Sequence, residues 1–236
     1  MIKKIRRNSV VYYTPQRKRK FRSPATFTLI ILNVLVYMAV ILISQLLVGQ
    51  SFMSEIALQP SSAFQKPWTF LTSMFMHSPL VIHLIVNMLS LFFLGSFLES
   101  LIKPKRFVAL YLISGLIAGL FFVLFSYYPL SAIPGIGISD ANMMAVGASG
   151  AIFGIGGALA VLTPKIPVYL MFIPIAMPLW LGILLMFGIL WIITAGAGLP
   201  IGNAAHLGGL ITGLIYGFYL RMKHRKKVAV LDRHFR

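Results

Sequence analysis

Long apolar stretches, separated by shorter polar or proline-containing segments, dominate the pattern of hydrophobic positions along the chain. Several of them reach the roughly 20 residues that an α-helix needs to cross a bilayer. Polar residues do not alternate with apolar ones, as they would in the strands of a membrane barrel. We therefore predict an all-α, polytopic membrane protein with a bundle of six transmembrane helices. The predicted helices are 27–48, 78–98, 107–125, 144–162, 179–194 and 203–220.

Two connections between these helices differ from simple polar turns. Segment 49–77 is long and mixed in polarity, and it contains Pro60, Pro67 and Trp68, which predicts a loop that dips into the membrane interface. Prolines interrupt the apolar segment 166–177 and break a regular helix there. We expect 166–177 to form an irregular interfacial piece.

Composition supports the membrane interpretation and removes one class of chemistry. Hydrophobic residues make up 58% of the chain and charged residues 11%, whereas an ordinary soluble domain is roughly 45–50% apolar. Cysteine is absent. The absence excludes a disulfide framework and catalysis by a thiolate.

The distribution of charge argues against nucleic acid as a partner. Lys and Arg number 21, Asp and Glu number 4, and the formal net charge is +17. The basic residues gather at the two ends of the chain and leave its middle nearly uncharged. We predict a basic N-terminal tail (1–26), a membrane domain (27–220) and a basic C-terminal tail (221–236), with both tails on anionic lipid headgroups.

Basic residues in the loops also predict an orientation. With the N-terminus inside, the inner loops carry Lys103, Lys105, Arg106 and Lys165, whereas the outer loops carry only Lys66. This arrangement satisfies the positive-inside rule. We expect both termini in the cytoplasm and the protein in the plasma membrane of a prokaryote. An N-terminal transit peptide is the weaker alternative, because the tail is lysine-rich and lacks an amphipathic period.

Four polar side chains fall near the predicted outer ends of three helices. Ser149 lies about five residues into the fourth helix, His206 about three into the sixth and His83 about five into the second. Asn87 follows His83 by four residues and shares its helical face. His77 precedes His83 by six residues and does not share that face, so we expect a loop-end or helix-start position without a catalytic role.

Glycines surround Ser149 and follow His206. Alone, such residues are typical of closely packed membrane helices, and a lone membrane serine is usually a hydrogen-bonding residue. An intramembrane histidine is a functional candidate, although a buried structural role is the alternative. Close packing would bring the serine and the histidine together. The predicted packing glycines are Gly147, Gly150, Gly154, Gly209 and Gly213.

These residues suggest serine nucleophile chemistry. A serine hydroxyl needs an adjacent base, and neutral imidazole is a suitable base near neutral pH. We predict a dyad of Ser149 and His206, because no acidic residue falls within a predicted helix; Asp140, in an outer loop, stays open as an assistant. The backbone N–H of Ser149 and the side chains of His83 and Asn87 are the candidate oxyanion donors.

The same inventory argues against other mechanisms. The chain has no His-Glu-x-x-His motif and no pair of intramembrane aspartates. We expect neither a metal nor another cofactor.

Three motifs together resemble the rhomboid family of intramembrane serine proteases. They are Gly147-Ala148-Ser149-Gly150, Ala205-His206-x-x-Gly209-x-x-x-Gly213, and His83-x-x-x-Asn87 in the second predicted helix. The resemblance implies a six-helix endopeptidase that cuts single-span membrane proteins near the extracytoplasmic surface. It implies that Ser149 and His206 are catalytic and that His83 and Asn87 contact the oxyanion.

The chain departs from the pattern of that family at two positions. Phe153 occupies a place where many members have a tyrosine that stacks on the histidine. Phe153 is able to stack but has no hydroxyl. Thr69 follows Trp68 where many members have an arginine, which leaves open how the first loop is anchored.

Two other functions are alternatives to the protease. A non-catalytic rhomboid-like protein that binds or escorts transmembrane segments is the main alternative, and the presence of Ser149 and His206 argues against it. A small-solute transporter with His83 and His206 in a polar path is a third possibility, but the sequence lacks the inverted-repeat signals expected of it.

For a protease, we expect small residues at the cleavage point, since the substrate helix must unwind locally. We expect the substrate to enter beside the fifth helix and segment 166–177.

Overall fold

The computed structural model describes residues 2–7, 10–15, 23–46, 51–127, 130–134, 136–137, 140–170, 173–197 and 202–234. Its elements are mostly helices, with two short antiparallel hairpins. The helices are α1 (Pro24–Leu46), α2 (Ser51–Ile56), α3 (Thr69–Thr72), α4 (Val81–Ser90), α5 (Ser96–Ile102), α6 (Pro104–Leu124), α7 (Ser149–Leu162), α8 (Leu179–Ala197), α9 (Asn203–Lys223) and α10 (Arg225–His234). The strands are β1 (Ile2–Arg7), β2 (Val10–Pro15), β3 (Pro167–Leu170) and β4 (Ile173–Pro178).

Within the described residues, four helical stretches are long and apolar enough to cross a membrane: Pro24–Ser44, Val81–Ile102, Pro104–Leu124 and Leu179–Gly196. The second stretch joins α4 to α5 through one π-helical turn, Leu91–Gly95. Helix α7 is apolar but only 14 residues long, and α9 carries Arg221 and Lys223 in its last turn. The count of six transmembrane helices therefore stays a prediction.

The fourth predicted helix begins later than its apolar pattern indicates. It was expected to start at residue 144, but α7 starts at Ser149. The preceding backbone is extended, because Ala145 and Leu58 exchange two backbone hydrogen bonds, at 2.8 and 3.2 Å. A tertiary contact with the first loop thus takes up backbone groups that a local helix would have used.

Segment 166–177 was wrongly predicted to be irregular. Strands β3 and β4 pair antiparallel there, with Pro167 opposite Pro178 and Leu170 opposite Ile173. A two-stranded sheet tolerates these prolines, since each strand is an edge and has one side without ladder partners. No secondary structure was predicted for the two basic tails. The structure has the β1–β2 hairpin in the N-terminal tail and helix α10 in the C-terminal tail.

The core lies between α6, α7 and α9, where Phe107, Tyr111, Phe122, Ile155 and Leu159 are fully buried. Helix α1 lies outside this core, and a buried carboxylate binds its N-terminal end. Glu99 of α5 accepts hydrogen bonds from the backbone N–H groups of Ala25 and Thr26, at 3.1 and 2.8 Å, and from the Thr26 hydroxyl at 2.7 Å. These bonds satisfy N–H groups at the start of α1 that have no partner within the helix.

Candidate active site

Glycines bring the backbones of α7 and α9 into contact. A Cβ atom on Gly209 would overlap the Gly150 carbonyl group, and one on Gly213 would overlap that of Gly154. A Cβ atom on Gly157 would lie 2.6 Å from the Leu210 carbonyl oxygen. Such obstacles are backbone atoms, which do not move aside as a flexible side chain does. The α7–α9 interface therefore requires glycine at these positions.

Ser149 and His206 meet at one end of this interface. The Nε2 atom of His206 lies 2.8 Å from the Oγ atom of Ser149, although the two residues are 57 positions apart. Ser149 is the first residue of α7, and His206 is the fourth residue of α9. The imidazole is buried, and its Nδ1 atom has no hydrogen-bond partner within the described residues.

The ring of Phe153 covers one face of the imidazole. Its centroid lies 4.6 Å from that of His206, with an angle of 28° between the ring planes, which is a stacked geometry. Phe153 also contacts the edge of Phe187 on α8, at 6.1 Å between centroids. The stacked ring restricts rotation of the imidazole and keeps its Nε2 atom directed at Ser149.

The backbone before Ser149 is held by the first loop. The Gly147 N–H donates to the Ser73 carbonyl at 2.9 Å. Gly147 has a φ of +121°, and a Cβ atom there would lie 3.0 Å from the imidazole of His83. Both the backbone angle and the neighbouring ring therefore favour glycine at this position.

The first loop is anchored without the arginine of the family pattern. The Trp68 indole N–H donates to the Glu55 carbonyl at 2.8 Å, and the Thr72 hydroxyl donates to the Ile56 carbonyl at 2.7 Å. Lys66 forms an ion pair with the Glu55 carboxylate at 2.6 Å. Thr69 itself donates its hydroxyl hydrogen bond to the Lys66 carbonyl at 2.6 Å.

His83 lies beside the serine, whereas Asn87 lies one turn further along α4. The Nε2 atom of His83 and the Oγ atom of Ser149 lie 3.0 and 3.9 Å from the same point, the Cβ position of Gly147. The Nδ1 atom of His83 lies 3.1 Å from the Ser78 hydroxyl. Asn87 is buried and donates one amide hydrogen to the His83 carbonyl at 2.8 Å. No hydrogen bond joins Asn87 to Ser149 among the described residues.

Relative to the sequence prediction, Ser149 lies nearer its helix start. It is the first residue of α7 rather than about the fifth, His83 is the third residue of α4, and His206 is the fourth of α9. As the first helical residue, Ser149 has no carbonyl within α7 to accept its backbone N–H hydrogen. This backbone donor is therefore directed out of the helix.

His77 was expected to be a loop-end or helix-start residue, and it lies in the loop before α4. Unexpectedly, its side chain is only 1% exposed and packs edge-on against His83, with 5.3 Å between centroids. Neither ring nitrogen makes a hydrogen bond of good geometry within the described residues. Burial, together with the nearby His83 imidazole, lowers the pKa of His77 to about 4, and a backbone interaction with Phe75 opposes them. No local pattern marked this contact, because His77 lies in the loop and only His83 lies within helix α4.

The described carboxylates lie away from the imidazole. Asp140 accepts a hydrogen bond from the Asn142 N–H at 2.8 Å and is exposed. Glu55 is paired with Lys66, and Glu99 binds the start of α1. In the described part of the chain, no group of three His, Cys, Asp or Glu side chains has the arrangement of a metal site.

The family model for the rhomboid domain matches residues 65–223. The chain belongs to the rhomboid family. The rhomboid protease AarA of Providencia stuartii is 30% identical over 227 residues, which cover 87% of this chain and 76% of that protein.

Two further relatives show the breadth of this family. Rhomboid protein 1, mitochondrial, of Saccharomyces cerevisiae is 34% identical over 142 residues, covering 58% of this chain and 38% of the yeast protein. The rhomboid protease GlpG of Yersinia pseudotuberculosis is 26% identical over 208 residues, covering 86% of this chain and 65% of that protein. This rhomboid thus spans less than two thirds of the length of several relatives. Family and apolar helices together make it an integral membrane protein, and the family includes intramembrane proteases.

Proposed function

We propose that this rhomboid is an intramembrane serine endopeptidase with a Ser149–His206 dyad. The observation that carries the proposal is the 2.8 Å contact between Oγ and Nε2. This contact lies at the end of an interface in which glycines allow the backbones of α7 and α9 to approach closely. A hydroxyl held at hydrogen-bonding distance from imidazole is the arrangement that nucleophilic catalysis requires.

The proton balance of the reaction follows from this geometry. His206 begins neutral, with its hydrogen on Nδ1, so that Nε2 accepts the serine proton as Oγ forms a bond to the scissile carbonyl carbon. The same proton then passes from Nε2 to the departing amine as the peptide C–N bond breaks. A water molecule, activated by Nε2, hydrolyses the acyl-enzyme and restores the serine.

The oxyanion needs donors on the far side of the serine. We assign the backbone N–H of Ser149 and the side chains of His83 and Asn87 to this role. The position of His83 beside Gly147, next to the nucleophile, supports its assignment. Asn87 has one amide hydrogen left after its bond to the His83 carbonyl. For Asn87 the assignment requires a small rotation when substrate binds, because apo catalytic contacts often tighten only in the complex.

The proposed setting is a six-helix domain, 27–220, with α7 and α9 completing the bundle and with the tails 1–26 and 221–236 in the cytoplasm. Ser149 and His206 then lie near the extracytoplasmic face. The basic residues at the opposite ends of these helices, Lys165, Arg221 and Lys223, support this orientation. Substrates are single-span membrane proteins with small residues at the cleavage point. The membrane is the plasma membrane of a prokaryote.

Labelling by a serine-directed fluorophosphonate tests the dyad. We expect the detergent-solubilised protein to be labelled, and Ser149→Ala and His206→Ala to lose labelling by about 10³-fold or more. Ser96→Ala is the matched control, because Ser96 is also a buried membrane-helix serine but has no hydrogen-bonded histidine. Labelling that persists in Ser149→Ala rejects the nucleophile. A folded wild type without labelling or cleavage of single-span substrates supports the non-catalytic alternative.

Cysteine labelling tests the orientation. Since the native chain has no cysteine, single variants Lys66→Cys and Lys105→Cys report without background. In intact cells, a membrane-impermeant maleimide is expected to modify the first variant and not the second. The reverse pattern overturns the proposed topology without affecting the dyad.

A further inference from the structure

A pocket of about 250 Å³ lies at the end of the bundle opposite Ser149. Helices α7 and α9 run from Ser149 and Asn203 at one end to Leu162 and Lys223 at the other, and the pocket is at this second end. The proposed protease chemistry uses none of its residues. The lining residues are Leu101, Ile102, Lys103, Arg106, Leu162, Leu220, His224 and Val228.

The walls of this pocket are apolar and well packed. Ile102, Leu162, Leu220 and Val228 are all nearly fully buried and belong to the main hydrophobic core. Helix α10 turns back after His224, and Val228 joins the core cluster from this helix. The C-terminal tail therefore supplies one wall of the pocket.

Apart from Leu101, the remaining lining side chains are basic. Within the described residues, the side chains of Lys103, Arg106 and His224 form no hydrogen bond or ion pair. Among the side chains that the structure describes, no carboxylate lines the pocket. Glu99, one turn before Lys103, is buried and is occupied by the start of α1. The described lining thus combines an apolar wall with three basic side chains.

Lys103 occupies a strained backbone conformation, which suggests that its side chain has a function. Lys103 has φ +76° and ψ +154°, a conformation that glycine adopts readily and that other residues rarely adopt. It connects the end of α5 to Pro104 at the start of α6. Glycine at position 103 would form the same turn without strain, so the lysine side chain indicates a role beyond the turn.

We propose that this pocket binds the headgroup phosphate of an anionic phospholipid. Lys103, Arg106 and His224 contact the phosphate, and the first part of an acyl chain lies against Leu101 and its apolar neighbours. A free phosphate ion would use the positive charge but not the apolar wall. The position at the shared end of α5 and α6, both parts of membrane-length helices, places the pocket where lipid headgroups lie. The site does not depend on the protease activity.

Thermal unfolding in nanodiscs tests the site. Phosphatidylglycerol, added to phosphatidylcholine nanodiscs at ten times its dissociation constant, is expected to raise the melting temperature by about 3–6 °C. Arg106→Gln and His224→Gln are each expected to lose most of this increment. Lys105→Gln is the matched control, since Lys105 lies in the same turn but does not line the pocket. An equal loss in Lys105→Gln indicates a diffuse charge effect and overturns the site.

Lys103→Gly is a second test, in which the melting temperature without phosphatidylglycerol and the increment due to phosphatidylglycerol should change in opposite directions. It is expected to raise the melting temperature in phosphatidylcholine alone, because strain is relieved, and to lose the phosphatidylglycerol increment. Retention of the full increment overturns the role of Lys103. Inorganic phosphate in phosphatidylcholine nanodiscs distinguishes the ligand source. A shift as large as that of phosphatidylglycerol identifies a soluble-phosphate site and rejects the lipid.

Discussion

Helices α8 and α9 both pack beside α7, but they do so in different ways. Against α9, backbone meets backbone, with Gly150 and Gly154 of α7 facing Gly209 and Gly213. Against α8, side chains make the contact, as Ile183 does near Gly156. Only 11% of the membrane-length stretch of α8 is buried, compared with 50% for α6. Helix α8 is thus the peripheral neighbour and α9 the central one.

This difference separates two requirements of an intramembrane hydrolase. The proposed nucleophile and base must keep a fixed distance, and a displacement of even 1 Å is costly for catalysis. A transmembrane substrate, in contrast, needs a part of the bundle that moves aside. The close α7–α9 contact meets the first requirement, and the sparse contacts of α8 fit the second. We therefore expect substitutions at the two interfaces to have opposite effects.

The largest effect is expected from filling the α7–α9 interface. Gly209→Val places a side chain where the Gly150 carbonyl lies, and it should lower the free energy of unfolding by about 3 kcal/mol and abolish fluorophosphonate labelling. Gly188→Ala on α8 is the control, because no atom of the described residues is found within 4 Å of its Cβ position. Its stability and labelling should not fall. Equal destabilisation of the two variants in mixed micelles would remove the distinction between the interfaces.

A smaller effect is expected on α4, which borders the proposed dyad but not the α7–α9 interface. Asn87→Ala removes a proposed oxyanion donor and should lower kcat by about 10²-fold. Its melting temperature should stay close to that of the wild type, since the lost amide hydrogen bond lies within one helix. An unchanged kcat would remove Asn87 from the oxyanion site and leave the dyad intact.

Loosening α8 is expected to increase cleavage rather than reduce it. Phe187→Ala removes the edge contact with Phe153. Aromatic pairs contribute about 0.5–1.5 kcal/mol, so kcat/KM for a transmembrane substrate should rise about two- to tenfold. Labelling by the small fluorophosphonate should change less. Ile192→Ala, at a position 72% exposed on the same helix, is the control. A fall in transmembrane cleavage would place substrate access elsewhere.

The smallest effect on activity is expected at His77. This residue is expected to affect how the free energy of unfolding depends on pH. Its pKa is lowered to about 4 in the folded protein, mainly by burial, and is about 6.5 when unfolded. The unfolded chain therefore binds more protons between these values, and stability is lost as pH falls from about 6.5 to about 4. The loss attributable to His77 should be about 2–4 kcal/mol. His77→Phe should flatten this part of the pH profile, and an unchanged slope would contradict the assignment.

Sequence reasoning located the helices but not all their ends. Apolar length sufficed for α1, α6 and α8, because a membrane helix satisfies its backbone groups locally. It failed at 144–148, where the pairing of Ala145 with Leu58 keeps the chain extended and delays the start of α7 to Ser149. It failed also at β3 and β4, a local hairpin with Pro167 opposite Pro178, because prolines that break a helix are tolerated on edge strands. A distant backbone partner decided the conformation at 144–148, whereas the partner of β3 is the next strand of the chain.

The candidate site shows the same division. The residue types and their spacing identified Ser149, His206, His83 and Asn87 as polar residues to explain. The burial of His77 against His83 was not predicted, because the loop between them has no fixed period. The anchoring of Trp68 without a following arginine also required the fold, since its acceptor is a backbone carbonyl 13 residues away.

By itself, the sequence determined the membrane class, the uneven distribution of charge and the chemical groups available for a reaction. It also determined that α7 and α9 each carry a face of glycines. Only the tertiary structure decided that these faces meet and that the contact places Oγ of Ser149 2.8 Å from Nε2 of His206. The physical reason is that side-chain periodicity is a property of one helix. The distance between two helices depends on which surfaces pack and how closely their backbones approach.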